Sequence, residues 1–563
     1  MAAMAAMADL TIYNAPTVPP KYDQVGVFYI AFCVTWSTLL VAGMIFCWFN
    51  RHIPIIRIRG LPLSFSAIAL LHVYWIMGQI TYPVGQAVPT VLAYDLQYFA
   101  MGIYYPLGIA LFQASNLRFL HVAKMQKQFA HPELRSTRRC NGGDSSWLCR
   151  LRNMDYMTRT LTFIGIGMAL QFAITVGMWF ACMKYHPTYG IPGTEIKGAT
   201  LPEQMADLSR GWEWWPSLLW QVIWTWVAAP ILIWRAWGIR DTMGWRTQTI
   251  VCCVASLHAV PMFMVASYVP SFAKVNVYFP PSQWIHVSII IFEIFTVFVP
   301  IFELIRLRIL SEKASSSNAK YDPSSLATVM RTTPSTEWKN TSSSTLAEKG
   351  LAIDCLEEYS GDRLFTMDAL EHVLAKNPEP LQDFAAFSDF SGENIAFLSH
   401  AAAWKASLPE PLEKEHMYDA FNQALQIYIT FISIRDAEFP LNISSQSLKH
   451  LESVFEKPAR AIYGEGAVNA AVPFEVPSSS PAPHEISIAR YTDEIPDGFN
   501  MAIFDDVQNH VKYLILTNTW PKFVEAMRRR TSVSTAHSDI TASSDRTLAT
   551  WVSVQSEKLK SLF

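Results

Sequence analysis

The chain has 563 residues, 51% of them hydrophobic and 16% charged, with 19 Trp, 33 Phe and a formal net charge of −3. That average conceals two unlike halves: residues 1–310 carry 22 Lys+Arg against 13 Asp+Glu, a net of +9, and residues 311–563 carry 22 against 34, a net of −12. The division excludes a single water-soluble globule, a disulfide-rich secreted module and a mainly disordered chain, and the mildly acidic total gives no support for a nucleic-acid partner.

A tail of residues 1–25 comes first. Its opening MAAMAAMADL lacks a basic region followed by a leucine-rich run, so the first apolar span is expected to serve as the targeting element. A helix needs about 20 apolar residues to cross a bilayer. Seven stretches within 26–310 qualify: 26–49, 61–80, 96–117, 160–183, 216–238, 248–269 and 284–305. Lys and Arg in the connecting loops set the orientation. Loops after the first, third, fifth and seventh spans hold 17 basic residues, and the opposite side holds five. The richer side is expected to be cytosolic, with the N-terminus outside. The +9 then follows from topology and from anionic headgroups, a membrane-lipid partner rather than a soluble ligand. No CxxC pair occurs among the eight cysteines, so no metal site is expected. Both N-glycosylation sequons, at Asn340 and Asn442, fall on the cytosolic side of this arrangement.

Ionisable residues inside spans are costly, so each has a reason to be there. Glu303 is expected to pair with Arg306 three residues on. Glu293 lies deeper. One reading gives it a hydrogen bond to a neighbouring helix, through His258 or His72. The other makes Glu293, His72 and His258 a transmembrane ligand or switch site. Pro300 is expected to kink the seventh span. A retinal pigment would need a Lys in residues 284–305, which hold none. A zinc hydrolase would need converging ligands; His72, Asp95 and His286 invite it, but Ile290 stands one turn after His286.

Residues 311–350 are rich in Ser and Thr and read as a flexible linker. Helical patterns resume after Leu351. Leu381, Phe384, Phe387 and Phe390 line up for burial, and a new helix starts at Ser391 as N-cap. A second stripe comprises Ala424, Leu425, Tyr428, Phe431 and Ile432. A third comprises Phe504, Val507, Val511, Leu514 and Ile515. The expected fold is all-α: a seven-transmembrane helix bundle followed by a cytosolic all-helical domain. Stripes of this kind are core and by themselves carry no function.

The segments DFSGENIAFL, FNQALQIYITFIS, PLNISS and FDDVQNHVKYLILTNTWPKF occur in the order found in RGS domains, the regulators of G-protein signalling. Residues 351–530 resemble one whole RGS domain, with an inserted Pro/Ser-rich loop at 458–500 and a polar tail at 531–563. With the spans ahead of it, including RIRGLPLSFSAIALLHVYW, the chain resembles the seven-transmembrane RGS proteins of fungi and plants. The resemblance implies a GTPase activator of a Gα subunit, with no reaction of its own and no cofactor. It implies a plasma-membrane location with an endosomal pool, and an extracellular ligand for the bundle. RGS domains supply no arginine finger, because Gα carries its arginine in cis; they brace the switch segments in the transition-state arrangement. Carried over, Glu393 and Asn394 form the first contact loop. Asn442 is in the second, beside the Gα glutamine that orients water; its other role is a cap for the helix that follows. Leu514, Asn518, Thr519 and Lys522 form the third. Many active members have Asp and Arg where this chain has Asn518 and Lys522, which removes charge-assisted bonds and the guanidinium fork. A Gα-binding scaffold with weak activation is therefore an alternative, as is a seven-span transporter or enzyme with a helical docking domain. Arg528, Arg529 and Arg530 precede Thr531 and Ser532, a basophilic phosphorylation motif or simply a basic helix end. Opposite charge on the two halves predicts salt-sensitive docking of the helical domain on the basic loops.

Overall fold

The computed structural model describes residues 11–131, 156–321, 359, 361–408, 414–463 and 490–528. Thr531, Ser532, Asn340, Cys140, Cys149 and Cys355 lie outside the described residues. Within those residues there is helix and no strand. Contacts divide the chain into two compact units: Met1–Ile309 with Gln382–Val511, and Leu310–Leu381 with Lys512–Phe563.

Six helices are long and apolar enough to cross a membrane: Gln24–Phe49, Leu61–Ala87, Tyr156–Ala181, Leu201–Trp237, Trp245–Tyr268 and Gln283–Lys320. We label α1 (Gln24–Phe49), α2 (Leu61–Val84), α3 (90–130), α4 (Tyr156–Ala181), α5 (215–237), α6 (Trp245–Tyr268) and α7 (Gln283–Lys320). Each corresponds to one stretch read from the sequence, but α3 is not among the six. Its reason is burial. Gln113, Ser115, Asn116 and Arg118 all lie inside. A helix enclosed by other helices is free to carry polar residues that a lipid-facing one excludes. By contrast α1 leaves Val27, Phe28, Val34 and Phe49 exposed, and α4 leaves Phe163, Ile166 and Leu170. Water would not tolerate such surfaces, and hydrocarbon does. The protein is membrane-embedded and multi-pass.

The bundle is held by close helix approach and aromatic contacts. Phe112 of α3 stacks on Phe292 of α7 at 4.3 Å. A Cβ on Gly43 of α1 would come within 2.8 Å of Val297, so α1 and α7 meet where only glycine fits. Gly60 turns into α2 with φ +66°, and Arg118 packs over it.

Proline placement explains the irregular turns. Pro106, Pro230 and Pro300 each stand two residues after a π-helical segment, Ala100–Tyr104, Ile223–Ala228 and Ile294–Phe298. Proline cannot donate to the carbonyl four residues back and crowds it; a widened turn relieves both problems. The carbonyl that Pro106 deprives is that of Gly102, which accepts from Gln171 Nε2 at 3.1 Å and Thr175 Oγ1 at 3.4 Å. The feature expected at Pro300 is thus a wide turn that recurs in α3 and α5.

Among the later helices we label α8 (Met367–Lys376), α9 (379–389), α10 (Gly392–Ala406), α11 (414–432), α12 (Ser445–Tyr463) and α13 (505–528). In the first unit their core is aromatic: Phe455 stacks on Phe421 and Phe504, and Trp404 donates to the Ala420 carbonyl at 3.0 Å. The Ala424–Ile432 stripe is buried throughout, as its spacing predicts. In the second unit Trp520 donates to the Leu364 carbonyl, Lys512 pairs with Glu371, and Asn318 accepts from the Met367 N–H. Asn318 belongs to α7, which runs past Leu310 to Lys320; the start of the expected linker is helix. The segment read as an inserted loop from 458 likewise begins as helix, since α12 carries Pro458 and ends at Tyr463.

Candidate functional site

The strongest cluster of chemically expressive residues lies in the first unit. Two loops of the later helices, 388–394 and 438–442, meet the ends of α3 and the α5–α6 turn. The chain enters the first loop through the π-helical turn Ala385–Asp389 and reverses at Phe390, the one non-glycine with positive φ among the described residues, at +50°. A phenylalanine in the left-handed region is strained, and something must hold it. Phe390 is 3% exposed and packs with Phe119, Trp245 and Leu304.

The α3 residue Gln126, itself fully buried, uses both ends of its amide. Its Oε1 accepts from the Gly392 N–H at 3.0 Å, and its Nε2 donates to Glu393 Oε2 at 3.0 Å. A Cβ on Gly392 would lie 3.0 Å from the Phe129 Cβ, so this approach too requires glycine. Thr242 completes the seam: its N–H donates to the Ser388 carbonyl at 3.0 Å and its hydroxyl to Asp389 Oδ1 at 2.9 Å. At the second loop, Arg57 donates to the Pro440 carbonyl at 3.4 Å, Gln128 donates to Glu438, and Phe129 meets Phe439 edge-on at 6.0 Å. Burial pushes the Glu393 carboxyl up to about 7, with Gln126 and Arg57 opposing the shift and Asp389 adding to it.

Ser391 does precede α10, but its hydroxyl donates to Asp389 at 2.9 Å and does not cap the helix. Asn394 folds back on the Ser391 carbonyl at 3.3 Å. Asn442 is half-buried, and its own carbonyl accepts from His510 Nε2 at 3.2 Å. The helix cap expected of it falls instead to Ser444, whose hydroxyl accepts from the Ser447 N–H at 3.1 Å. The Asn442 amide makes no hydrogen bond among the described residues.

Leu514, Asn518, Thr519 and Lys522 belong to the second unit, on the π-helical turn of α13 and its flanks. Lys522 Nζ donates to Asn518 Oδ1 at 2.9 Å, one turn apart, and Thr519 is buried. The two residues that depart from the family pattern are thus partners of each other.

Inside the bundle, Glu293 is fully buried. His72 Nδ1 lies 2.8 Å from its Oε1, His72 Nε2 is 3.0 Å from Ser37, and Trp36 donates to the second carboxylate oxygen. Trp75 stacks on the His72 ring. His258 is not part of this group; it bonds the Trp284 carbonyl at 3.1 Å. The bond expected between Glu293 and a neighbouring helix is made by His72. Glu303 and Arg306 approach at 3.5 Å. Asp95 accepts from Trp179, and His286 contacts Gln283, so each of the residues that invited a metal is engaged with a different neighbour.

Gln126, Gln128, Phe129 and Thr242 escape pattern reading. A signal exists in KMQKQFA: two amides and a phenylalanine where a helix end rich in Lys should be uniformly charged. Comparison with protein-family models, curated proteins and solved structures returns no match.

Proposed function

We propose that the chain is a membrane-anchored regulator of heterotrimeric G-protein signalling. Its seven spans, α3 counted with the six apolar helices, set the N-terminus outside the plasma membrane. Its later helices act in the cytosol as an RGS domain that binds GTP-bound Gα and accelerates hydrolysis. The observation that carries this reading is Asn442. It stands on a loop whose backbone is pinned by His510, with the following helix capped by another residue, so its half-buried amide has no hydrogen-bond partner among the described residues. An uncharged group able to donate and accept is suited to holding the Gα glutamine and its attacking water. The rate gain comes from switch segments held in place before reaction, since the arginine is already in Gα.

The test is single-turnover GTP hydrolysis by the cognate Gα with the full chain in lipid nanodiscs. Acceleration is expected, and Asn442→Ala should lose most of it. A rate unchanged by the wild-type chain, with no binding of Gα carrying GDP and AlF4⁻, contradicts the reading. The second reading, a Gα scaffold with weak activation, is favoured by the Lys522–Asn518 bond. That pair offers Gα neither a carboxylate nor a guanidinium, and binding without acceleration would select it.

A further inference from the structure

The seam described above has a consequence for any partner of the later helices. Residues 388–394 and 438–442 are the loops that the proposed function assigns to Gα, and the inference rests on that assignment. The same loops are occupied. Glu393, the first contact residue, has its carboxylate on Gln126. The Gly392 N–H beside it is taken by the other end of that amide. Phe390 is inserted among Phe119 and Trp245 of the bundle, and Arg57 holds the Pro440 carbonyl two residues before Asn442.

Two bodies cannot occupy one surface. We infer that the chain is autoinhibited: the basic end of its own bundle covers the first and second of the three Gα-contact segments, and Gα engages only after the bundle lets go. The bundle thereby becomes a gate, and a signal acts on G-protein regulation by moving α3 or the α5–α6 turn. The contact is suited to opening. Beyond the ring contacts of Phe390 and of Phe129 with Phe439, it consists of single hydrogen bonds from amides, a hydroxyl and the Arg57 guanidinium, and Glu393, Gly392 and Ser388 each present groups that water or a partner can satisfy once the seam opens. It also explains why Phe390 holds a left-handed conformation: the bundle core repays that strain while the seam is closed.

The experiment uses the full chain in nanodiscs of phosphatidylcholine and phosphatidylserine. A staple, Thr242→Cys with Ser388→Cys, joins residues whose backbones touch at 3.0 Å. A release variant, Gln126→Ala with Thr242→Ala, alters only the bundle side. The probe is Gα carrying GDP and AlF4⁻. The oxidised staple should bind it about tenfold more weakly than the same protein reduced, because apparent affinity falls with the fraction of open chain. The release variant should bind more tightly than wild type. Equal binding by stapled, reduced and released chains overturns the inference and leaves the proposed function standing. Absence of binding by all of them removes the proposed function, and the inference with it.

Discussion

Two carboxyl groups in the first unit, Glu293 fully buried and Glu393 half-buried, teach different lessons. Glu293 sits within the bundle, and its partners His72 and Trp36 belong to spans that have no other place to go. Glu393 sits at the end of the bundle, and its partner Gln126 lies on a helix 267 residues earlier in the chain, across a seam between loops. Both satisfy the rule that a polar group taken out of water needs partners. They differ in what an opened state offers. A Glu293 released from His72 meets hydrocarbon, whereas a Glu393 released from Gln126 meets water. The first arrangement is a fastener, and the second has the energetics of a latch.

The largest effect that would break the comparison is on stability. Glu293→Ala leaves the Trp36 N–H and the His72 Nδ1 without their partner in an apolar interior. The expected cost is about 2–5 kcal/mol, read as a lowered Tm in detergent. Gln126→Ala leaves the Gly392 N–H and the Glu393 carboxyl, groups that water reaches once the seam opens, and its cost to unfolding should stay below about 1 kcal/mol. Equal losses from the two variants would erase the distinction.

Next comes Gln126→Glu, which sets a third carboxylate beside Glu393 and Asp389. It should open the seam at pH 8 and leave the Tm of the bundle unchanged, read by limited proteolysis around residues 388–394.

The third effect is pH. Glu393 is held at about 7 when seated, above its ordinary 4.5. An acid whose value rises on docking holds its proton more tightly docked. Seating is therefore strongest below 4.5 and weakens progressively as pH rises through about 7. Arg57 and Asp389 act on the same carboxyl in opposite senses, so Glu393→Gln should flatten the profile.

The smallest effect is salt. The charge of the two halves predicts docking that screening would release. The seam instead shows aromatic rings, and its carboxylates Glu393, Glu438 and Asp389 accept from neutral amides and a hydroxyl, with Arg57 donating to a carbonyl. Raising salt to 1 M, where screening acts within about 3 Å, should leave most of the docked population in place.

How much of this was legible follows from the forces involved. Hydrocarbon imposes long apolar runs, so α1, α2 and α4–α7 stand out as strings, and their ends, the C-terminal end of α7 apart, fall within a few residues of the sequence reading. The Ala424–Ile432 stripe was legible for a similar reason, because helical burial has a period. The extension of α7 to Lys320 was not, since a Ser-rich stretch carries no apolar pattern and its helix is held by contacts such as Asn318 with Met367. The π turns were within reach: Pro106, Pro230, Pro300 and Pro521 each follow one at the same spacing. The seam was not, because Gln126 and Thr242 are ordinary polar residues until another segment arrives beside them. Glu293 was recognised as needing a partner, and His72 was one of two named; choosing between His72 and His258 required helix rotation, which sequence does not contain.

The most direct test of the latch is a distance. Spin labels at Lys124 and His400, both exposed on helices of the first unit, report on α3 and α10 in the full chain in nanodiscs. A single short distance is expected for the chain alone, and a second, longer population should grow as Gα with GDP and AlF4⁻ is added. Gα bound at saturation with the short distance unchanged would contradict the account.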